Sequence, residues 1–311
     1  MEAVRLWFTG FWRSTPMTVV MVGAIAIHVC LAIWKLILGK TWRMPWWQWA
    51  QIGLGFAIPL FLAEHLLSTR IIHEVFGMDD KYAIVLLATW PSKQWGMIYL
   101  IAAVWLHGCI GVHYWARLYP LYSRLRLWLA SVALLLPVLA YLGFTSAGRE
   151  VARLSASDRF WNSNLLRDIK FPGQPGIDFV LAGADAAEKT LAAVVAIIVL
   201  VRLTRFLLAA RSGITVTYPG NQQYRVPRGI TILEASRQAG VPHAAVCGGR
   251  GRCSTCRVWL GRGAERVSPP SEAEARVLQR IAAPPGIRLA CQIPVMAAME
   301  VTPLLPPVGG S

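Results

Sequence analysis

Charge is the scarcest property of this sequence of 311 residues. Only 15% of the residues are charged, whereas 55% are hydrophobic and 14 are Trp. A soluble protein carries about a quarter charged residues, so the composition disfavours a freely soluble globule and also a disordered chain. Acidic residues are the scarcer kind, since 16 Asp and Glu face 31 Lys and Arg, a net charge of +15. Such an excess is typical of a membrane protein with basic flanks or of a nucleic-acid-binding protein.

Cysteine is also sparse, because the six residues are too few for a disulfide-dense secreted scaffold. Four of them follow residue 212, in a polar segment interrupted by Gly and Pro, whereas the preceding residues are hydrophobic in long blocks. The residues after 212 also hold 11 basic and 5 acidic side chains, a net charge of +6. We therefore predict a membrane-embedded part of residues 1–212, a soluble domain of residues 213–306 and a linker of residues 307–311.

Several segments are apolar over the roughly 20 residues that a helix needs to cross a bilayer. The five best are Pro16–Leu38, Trp46–Leu67, Trp95–Trp115, Leu127–Thr145 and Leu191–Ala210. Val75–Trp90 is a weaker sixth candidate, and its Asp79, Asp80 and Lys81 favour an amphipathic or re-entrant connector instead. The membrane part is thus predicted to be an all-α bundle of five transmembrane helices, with six as the alternative.

Basic residues in short loops indicate the cytoplasmic side of a membrane protein. With five spans, the loops after the first and third spans lie on the same side as the exit of the fifth. Together these regions carry Lys40, Arg43, Arg117, Arg124, Arg126, Arg202, Arg205 and Arg211. We therefore expect a multi-pass protein with its C-terminal domain in the cytoplasm. Nucleic-acid binding is disfavoured, because the Arg residues lie at span ends and not on one soluble face.

Histidines are concentrated in the apolar part, where ionisable side chains are functional candidates by default. His28, His65, His107 and His113 lie in or at the ends of three predicted spans. Neutral imidazoles on facing helices can serve as axial ligands of b haem, and the alternative is hydrogen bonding across helix interfaces. From their depth in the bilayer, at about 1.5 Å per residue, we predict one haem between His28 and His113. The alternative is two haems, with the second between His65 and His107.

Two further polar residues lie at a predicted membrane interface. Arg70 and His73 are weaker candidates for contact with a haem propionate or a quinone. The simpler interpretation is that both are solvated side chains at the end of a span.

The segment LHGCIGVHYW, Leu106–Trp115, resembles the membrane anchors of bacterial class III adenylate cyclases. Over residues 15–210 the pattern also resembles the anchors of succinate dehydrogenases and fumarate reductases. The resemblance implies a bundle that binds haem b near quinone in the bacterial inner membrane, and a homodimer if a cyclase is attached. One departure concerns the second haem, because two-haem anchors have a ligand on the fourth span and Leu127–Thr145 contains no His.

The sharpest motif lies in the soluble part. Cys247, Cys253 and Cys256 have the spacing C-x5-C-x2-C, and 34 residues separate Cys256 from Cys291. Four thiolates are what a [2Fe–2S] cluster requires, and the intervening glycines let backbone N–H groups approach the sulfurs. A structural zinc site is the alternative, but zinc ribbons usually show two C-x2-C pairs. We therefore predict an iron–sulfur cluster held by these four residues.

The flanks of the motif alternate short strands with short helices. We predict a hairpin of Ile214–Tyr218 and Tyr224–Val226, a helix at Ile232–Ala239, a strand at Arg257–Leu260 and a capped helix at Ser271–Ile281. Glu274 lies three residues after Ser271, the spacing of a capping box. Residues 213–306 resemble ferredoxins of the β-grasp fold, with adrenodoxin-type cysteine spacing. The resemblance implies an α+β domain with the same four ligands, and His243 is then expected to be a surface residue.

No catalytic substrate site is evident in these residues. The chain lacks a G-x-G-x-x-G loop after a strand, a Walker lysine, a flavin fingerprint and the paired aspartates of a cyclase catalytic domain. We predict a membrane redox module that carries electrons between haem b or quinone and the cluster. The cyclase resemblance implies that it regulates an output domain, and the alternative is a stand-alone electron-transfer protein serving a reductase or oxygenase. Its expected partners are the lipid bilayer, quinone and that output domain.

Overall fold

Helices make up most of the first two thirds of the chain. In this computed structural model, residues 2–39, 42, 44–157, 169–211 and 213–305 are described. The helices are α1 Glu2–Trp12, α2 Thr15–Leu38, α3 Trp46–Leu66, α4 Ile72–Phe76, α5 Tyr82–Thr89, α6 Gln94–Ala116, α7 Pro120–Leu154 and α8 Gly173–Arg211, with a π-helical turn at Leu67–Ile71.

Five helical segments of the described chain are long and apolar enough to cross a membrane. They are Thr15–Leu38, Trp46–Phe76, Gln94–Ala116, Pro120–Leu154 and Gly173–Ala209. The first four contain one predicted span each, and the last contains the fifth predicted span except for its final residue. α7 and α8 continue well beyond the apolar windows that predict them. Their surfaces are largely exposed apolar side chains, and α2 and α3 contain no buried residue.

The sixth candidate span is interrupted. Helix α4 ends at Gly77, whose φ of 65° lies in the left-handed region, and α5 has eight residues. Eight residues rise about 12 Å, less than half the thickness of a hydrocarbon core of about 30 Å. The segment is therefore a connector, as its three charged residues indicate.

A five-stranded mixed sheet follows the last long helix. Its strands are β1 Ile214–Tyr218, β2 Gln222–Val226, β3 Arg257–Leu260, β4 Ile287–Leu289 and β5 Met299–Pro303, in the order β2-β1-β5-β3-β4. β1 pairs antiparallel with β2 and parallel with β5, whereas β3 pairs antiparallel with both β4 and β5. The predicted hairpin and the predicted strand after the cysteine-rich turn are both present.

Two short helices, α9 Ile232–Ala239 and α10 Glu272–Arg280, cover the sheet. α9 begins with a reciprocal capping box, in which Thr231 accepts from the Glu234 N–H and the Glu234 carboxylate accepts from the Thr231 N–H. α10 begins after Ser271, as predicted. The core between helices and sheet consists of fully buried aliphatic residues, among them Val216, Ile232, Val258, Leu289 and Ile293.

The chain divides into two compact units, residues 1–32 with 47–196 and residues 33–46 with 197–311. The second unit thus contains the sheet together with the ends of α2 and α8. The boundary that composition predicts at residue 212 stays a prediction. Ser212 and the predicted linker of residues 307–311 lie outside the described residues.

Candidate metal centre

Three cysteines lie in one turn between α9 and β3. Gly248, Gly249 and Gly251 have φ values of 70°, 89° and 66°, a conformation that glycine adopts without steric cost. A Cβ at Gly251 would lie 2.9 Å from the Gln292 side chain, so the turn runs close against the segment that carries Cys291. The glycines therefore bring the loop against the fourth cysteine.

The four sulfurs lie in two close pairs. The Sγ atoms of Cys256 and Cys291 are 3.4 Å apart, and the thiols of Cys247 and Cys253 are hydrogen-bonded neighbours. None of them is in a disulfide, and all but Cys253 are buried. Two sulfurs bound at about 2.3 Å to one tetrahedral metal lie about 3.8 Å apart, close to the observed separation.

The paired arrangement fits two metal atoms better than one. A mononuclear zinc site needs four ligands around one point, whereas a [2Fe–2S] cluster takes two thiolates per iron. The donor set therefore fits a binuclear cluster, with one pair of cysteines on each iron.

Protons are shared within each pair. A hydrogen bond from the Cys253 thiol lowers the pKa of Cys247 to about 4 and raises the pKa of Cys253 itself. In the other pair, the Cys256 thiol donates to Cys291, which lowers the pKa of Cys291 and raises that of Cys256. Each pair thus stabilises one thiolate, and metal binding would release the remaining proton.

Several N–H groups point at the sulfurs. The Cys247 N–H donates to the Cys253 sulfur at 3.2 Å, and the Gln292 side-chain amide donates to the Cys291 sulfur at 3.4 Å. The Gly251 backbone also hydrogen-bonds to Cys291. Donors of this kind favour the thiolate form and are one determinant of the reduction potential of a bound cluster.

Arg237 places a positive charge beside the cysteines. It lies in α9 and interacts electrostatically with Cys247, Cys256 and Cys291, and burial lowers its pKa from the usual value. Sequence reasoning missed this residue, although its position in the last turn of an amphipathic helix just before the motif was visible.

A buried polar chain crosses the core next to Cys256. The Ser236 hydroxyl donates to the Ile232 carbonyl at 2.9 Å, so it accepts from the Tyr218 hydroxyl at 3.0 Å and from His243 Nδ1 at 2.9 Å. Burial lowers the pKa of His243 to about 4 and raises that of Tyr218 to about 12. The expectation of a surface His243 is therefore wrong, because its ring packs behind the cysteine loop.

Glu274 binds the strand β4, which leads to Cys291. Its carboxylate accepts from Arg288 Nε and Nη2 and from the Leu289 N–H, each at 2.9 Å. Only one of the two hydrogen bonds of the predicted capping box with Ser271 is present. Ser271 does accept from the Glu274 N–H, but the Glu274 side chain turns inward to β4.

In the helical part, the structure brings together His28 and His107. Their ring centroids are 6.1 Å apart and their planes lie at 85°. His107 also contacts Gln51 of α3, whose carbonyl lies 3.2 Å from Nδ1. The pair thus joins α2 and α6, whereas the pairing expected from the sequence matched His28 with His113.

The other candidate side chains have different neighbours. His113 Nδ1 lies 2.8 Å from the Tyr122 hydroxyl, and His65 is half-buried at the end of α3. His73 donates from Nδ1 to the Met78 carbonyl at 2.7 Å, and Arg70 pairs with Glu74 at 2.9 Å. Their predicted roles toward haem or quinone stay predictions.

Comparison with known proteins gives matches to the segment that contains the sheet and the four cysteines. Residues 216–296 match the family described as "2Fe-2S iron-sulfur cluster binding domain", and all four cysteines fall within this segment. One component of the Na(+)-translocating NADH-quinone reductase of Klebsiella pneumoniae is 30% identical over 122 residues, 37% of this chain and 29% of the relative. The same component in Pseudomonas aeruginosa is 27% identical over 110 residues, 35% of this chain and 26% of the relative. The chain thus spans less than a third of the length of these relatives.

Among solved structures, an ISC-like [2Fe-2S] ferredoxin from Pseudomonas putida is 22% identical with a TM-score of 0.28, and the match covers 32% of this chain and 99% of that chain. A ferredoxin from Rhodopseudomonas palustris is 24% identical with a TM-score of 0.26, and the match covers 29% of this chain and 93% of that chain.

Proposed function

We propose that this protein is a membrane-bound electron-transfer module whose C-terminal domain holds a [2Fe–2S] cluster on Cys247, Cys253, Cys256 and Cys291. The observation that carries the proposal is the two-by-two arrangement of the sulfurs, with 3.4 Å between Cys256 and Cys291. The match of residues 216–296 to a cluster-binding family supports the same assignment.

When bound, such a cluster supplies one-electron redox chemistry. The residues of this chain contribute four thiolates, N–H donors to the sulfurs and the positive charge of Arg237. Water has little access to the sulfurs of Cys247, Cys256 and Cys291, because these side chains are buried. Cys253 is partly exposed and lies on the more accessible side of the site.

The membrane part contributes a second candidate redox site. The structure brings His28 of α2 beside His107 of α6, with ring centroids 6.1 Å apart, which supports this pair as the residues that would hold haem b in place of the His28–His113 pair. One haem on two facing helices then leaves His65 and His113 for hydrogen bonding, and His113 already contacts Tyr122.

Composition and the relatives support a membrane location. The five apolar helices have the length and hydropathy of spans, and the relatives are components of a quinone reductase by name. We propose that quinone or quinol exchanges electrons with the membrane part and that the cluster exchanges them with an output partner. The basic cluster domain, at net +6, would be held near anionic headgroups on the cytoplasmic face.

Purification of the full chain, followed by iron, acid-labile sulfide and pyridine haemochrome analysis, tests both sites. We expect two irons and two sulfides per chain in addition to haem iron, and an EPR signal on reduction. Cys291→Ser should abolish the cluster signal, and Cys109→Ser, which alters a cysteine of α6, should preserve it. His107→Ala should remove haem absorption without removing sulfide. Zinc in place of iron would overturn the cluster assignment, and wild-type protein without haem would overturn the haem assignment.

Regulation of an adenylate or guanylate cyclase and service to a reductase or oxygenase remain two proposals for the output. The two proposals differ in how often the protein is reduced and reoxidised. A carrier passes many electrons per second to an added acceptor, whereas a regulatory module changes state once per signal. Stopped-flow reduction by a quinol, followed by reoxidation with soluble acceptors, separates them, because sustained multi-turnover transfer favours the carrier.

A further inference from the structure

Helix α1 has two chemically different sides. Arg5, Thr9 and Arg13 follow at intervals of four residues and therefore share one side of the helix. Arg13 directly follows the last helical residue, and its N–H still bonds to the Thr9 carbonyl. The opposite side carries four large apolar residues, between 48% and 74% exposed, which are Val4, Trp7, Phe8 and Phe11.

The arginine side is bound to a buried carboxylate. Asp80, which is 5% exposed, accepts from Arg5 Nη1 at 3.1 Å and from Arg13 Nη1 at 3.1 Å, and its second oxygen accepts from Arg13 Nη2. His73 Nδ1 lies 4.0 Å from the same carboxylate. Both arginines are mostly buried in this contact. The ion pairs therefore fix which side of α1 faces the connector between α4 and α5.

With the arginine side fixed, the apolar side of α1 is left facing outward. Two residues, Arg13 and Ser14, join α1 to α2, so α1 lies at the end of an apolar helix. α2 also exposes apolar side chains, among them Val19, Val20 and Val22. Trp and Phe are the side chains that membrane–water interfaces favour, and a short helix with such a face lies in the plane of the interface.

We infer that α1 is an interfacial lipid-binding helix, whose stripe of Val4, Trp7, Phe8 and Phe11 enters the headgroup region while Asp80 holds its opposite side to the protein. The inference rests on the proposed membrane location of the chain. We expect the stripe to contact the bilayer interface on the side of the membrane where the first span begins.

Site-directed spin labelling in nanodiscs of phosphatidylethanolamine and phosphatidylglycerol tests the stripe. Single cysteines replace Phe8, Phe11, Gly10 or Val22 in a Cys30→Ser, Cys109→Ser background, and the ratio of oxygen to nickel-chelate collision rates reports lipid exposure. Gly10 is the matched control, because it is exposed and a Cβ there meets no atom within 4 Å. The ratio should be several-fold higher at positions 8 and 11 than at position 10.

The label at position 22 distinguishes a failure of the interfacial-helix inference from a failure of the proposed membrane location. A high ratio at Val22→Cys with equal ratios at positions 8, 10 and 11 would overturn the interfacial helix and leave the membrane location intact. A low ratio at position 22 as well would overturn the membrane location itself. Exclusion of both reagents at positions 8 and 11 would mean that a second copy of the chain covers the stripe, which also overturns the inference.

The role of Asp80 is tested with the label at position 8. Asp80→Asn should increase nitroxide mobility, because two arginines lose their charged partner. Asp79→Asn is the control, since Asp79 is 42% exposed and its nearest arginine contact is 3.6 Å. If Asp80→Asn does not fold, Arg13→Gln replaces it, with a single symmetric size-exclusion peak of the full chain in nanodiscs as the measure of folding. Unchanged mobility in a folded variant would show that the ion pairs do not hold α1.

Discussion

Arg288 donates two hydrogen bonds of 2.9 Å to the carboxylate of Glu274, which is only 1% exposed. The same carboxylate accepts from the Leu289 N–H, two residues before Cys291. A buried bidentate pair of this kind adds little net stability over an apolar pair, but removal of one partner leaves the other uncompensated. The pair therefore joins α10 to β4 at the point where the chain turns toward the cluster.

Glu274→Ala should lower the free energy of unfolding by about 3–5 kcal/mol, because it leaves the Arg288 charge buried and the Leu289 N–H unpaired. Urea unfolding followed by the visible cluster bands measures the loss. Glu272→Ala is the control, since Glu272 is exposed in the same turn of α10, and it should have little effect. Equal effects of the two substitutions would contradict the structural role of the buried pair.

Gly251→Ala should reduce cluster content sharply. The φ of 66° disfavours a side chain, and the added Cβ would lie 2.9 Å from Gln292, which donates to the Cys291 sulfur. Gly220→Ala separates the two causes, because Gly220 has a φ of 77° but a Cβ there meets no atom within 4 Å. We expect about 1 kcal/mol of destabilisation at Gly220 with normal iron and sulfide, against a several-fold loss of both at Gly251. Normal cluster content in Gly251→Ala would contradict the close approach.

Arg237→Gln should lower the reduction potential of the cluster. Removal of a positive charge near Cys247, Cys256 and Cys291 disfavours the reduced state, which carries one more negative charge. The expected shift is on the order of tens of mV for a partly buried charge. EPR-monitored redox titration measures it, and Arg237→Lys should restore most of the potential. An unchanged potential in Arg237→Gln would remove Arg237 from the electrostatics of the site.

Tyr218 should make stability depend on pH in the alkaline range. Burial raises its pKa from 10 to about 12, so the folded state retains a proton that the unfolded state has lost. The contribution is fully present below pH 10 and disappears as pH rises toward 12, by roughly 2–3 kcal/mol. Unfolding free energies of the wild type and Tyr218→Phe at pH 8 to 11 measure this difference, and the variant should show the flatter dependence. Parallel curves would contradict it.

The sheet-containing segment after residue 212 could be predicted in detail because its signals are local. The spacing of Cys247, Cys253 and Cys256 and the glycines between them are readable along the chain, and the strands and helices lie where alternation and capping residues indicate. The prediction failed for His243 and for the side chain of Glu274, since a cap residue and a buried ion partner have the same sequence signature. The reciprocal capping box at Thr231 and Glu234 was present in the sequence but was not predicted.

What the sequence determined by itself is the number and place of the apolar helices and the set of four cysteines, because hydropathy and spacing are properties of short segments. Tertiary structure alone decided that His28 stands beside His107, that Asp80 holds two arginines of α1 and that the sulfurs pair two by two. Each of these contacts joins residues that separate elements or loops bring together. Their pairing depends on the rotation and depth of one packed element against another, which periodicity within a single segment does not specify.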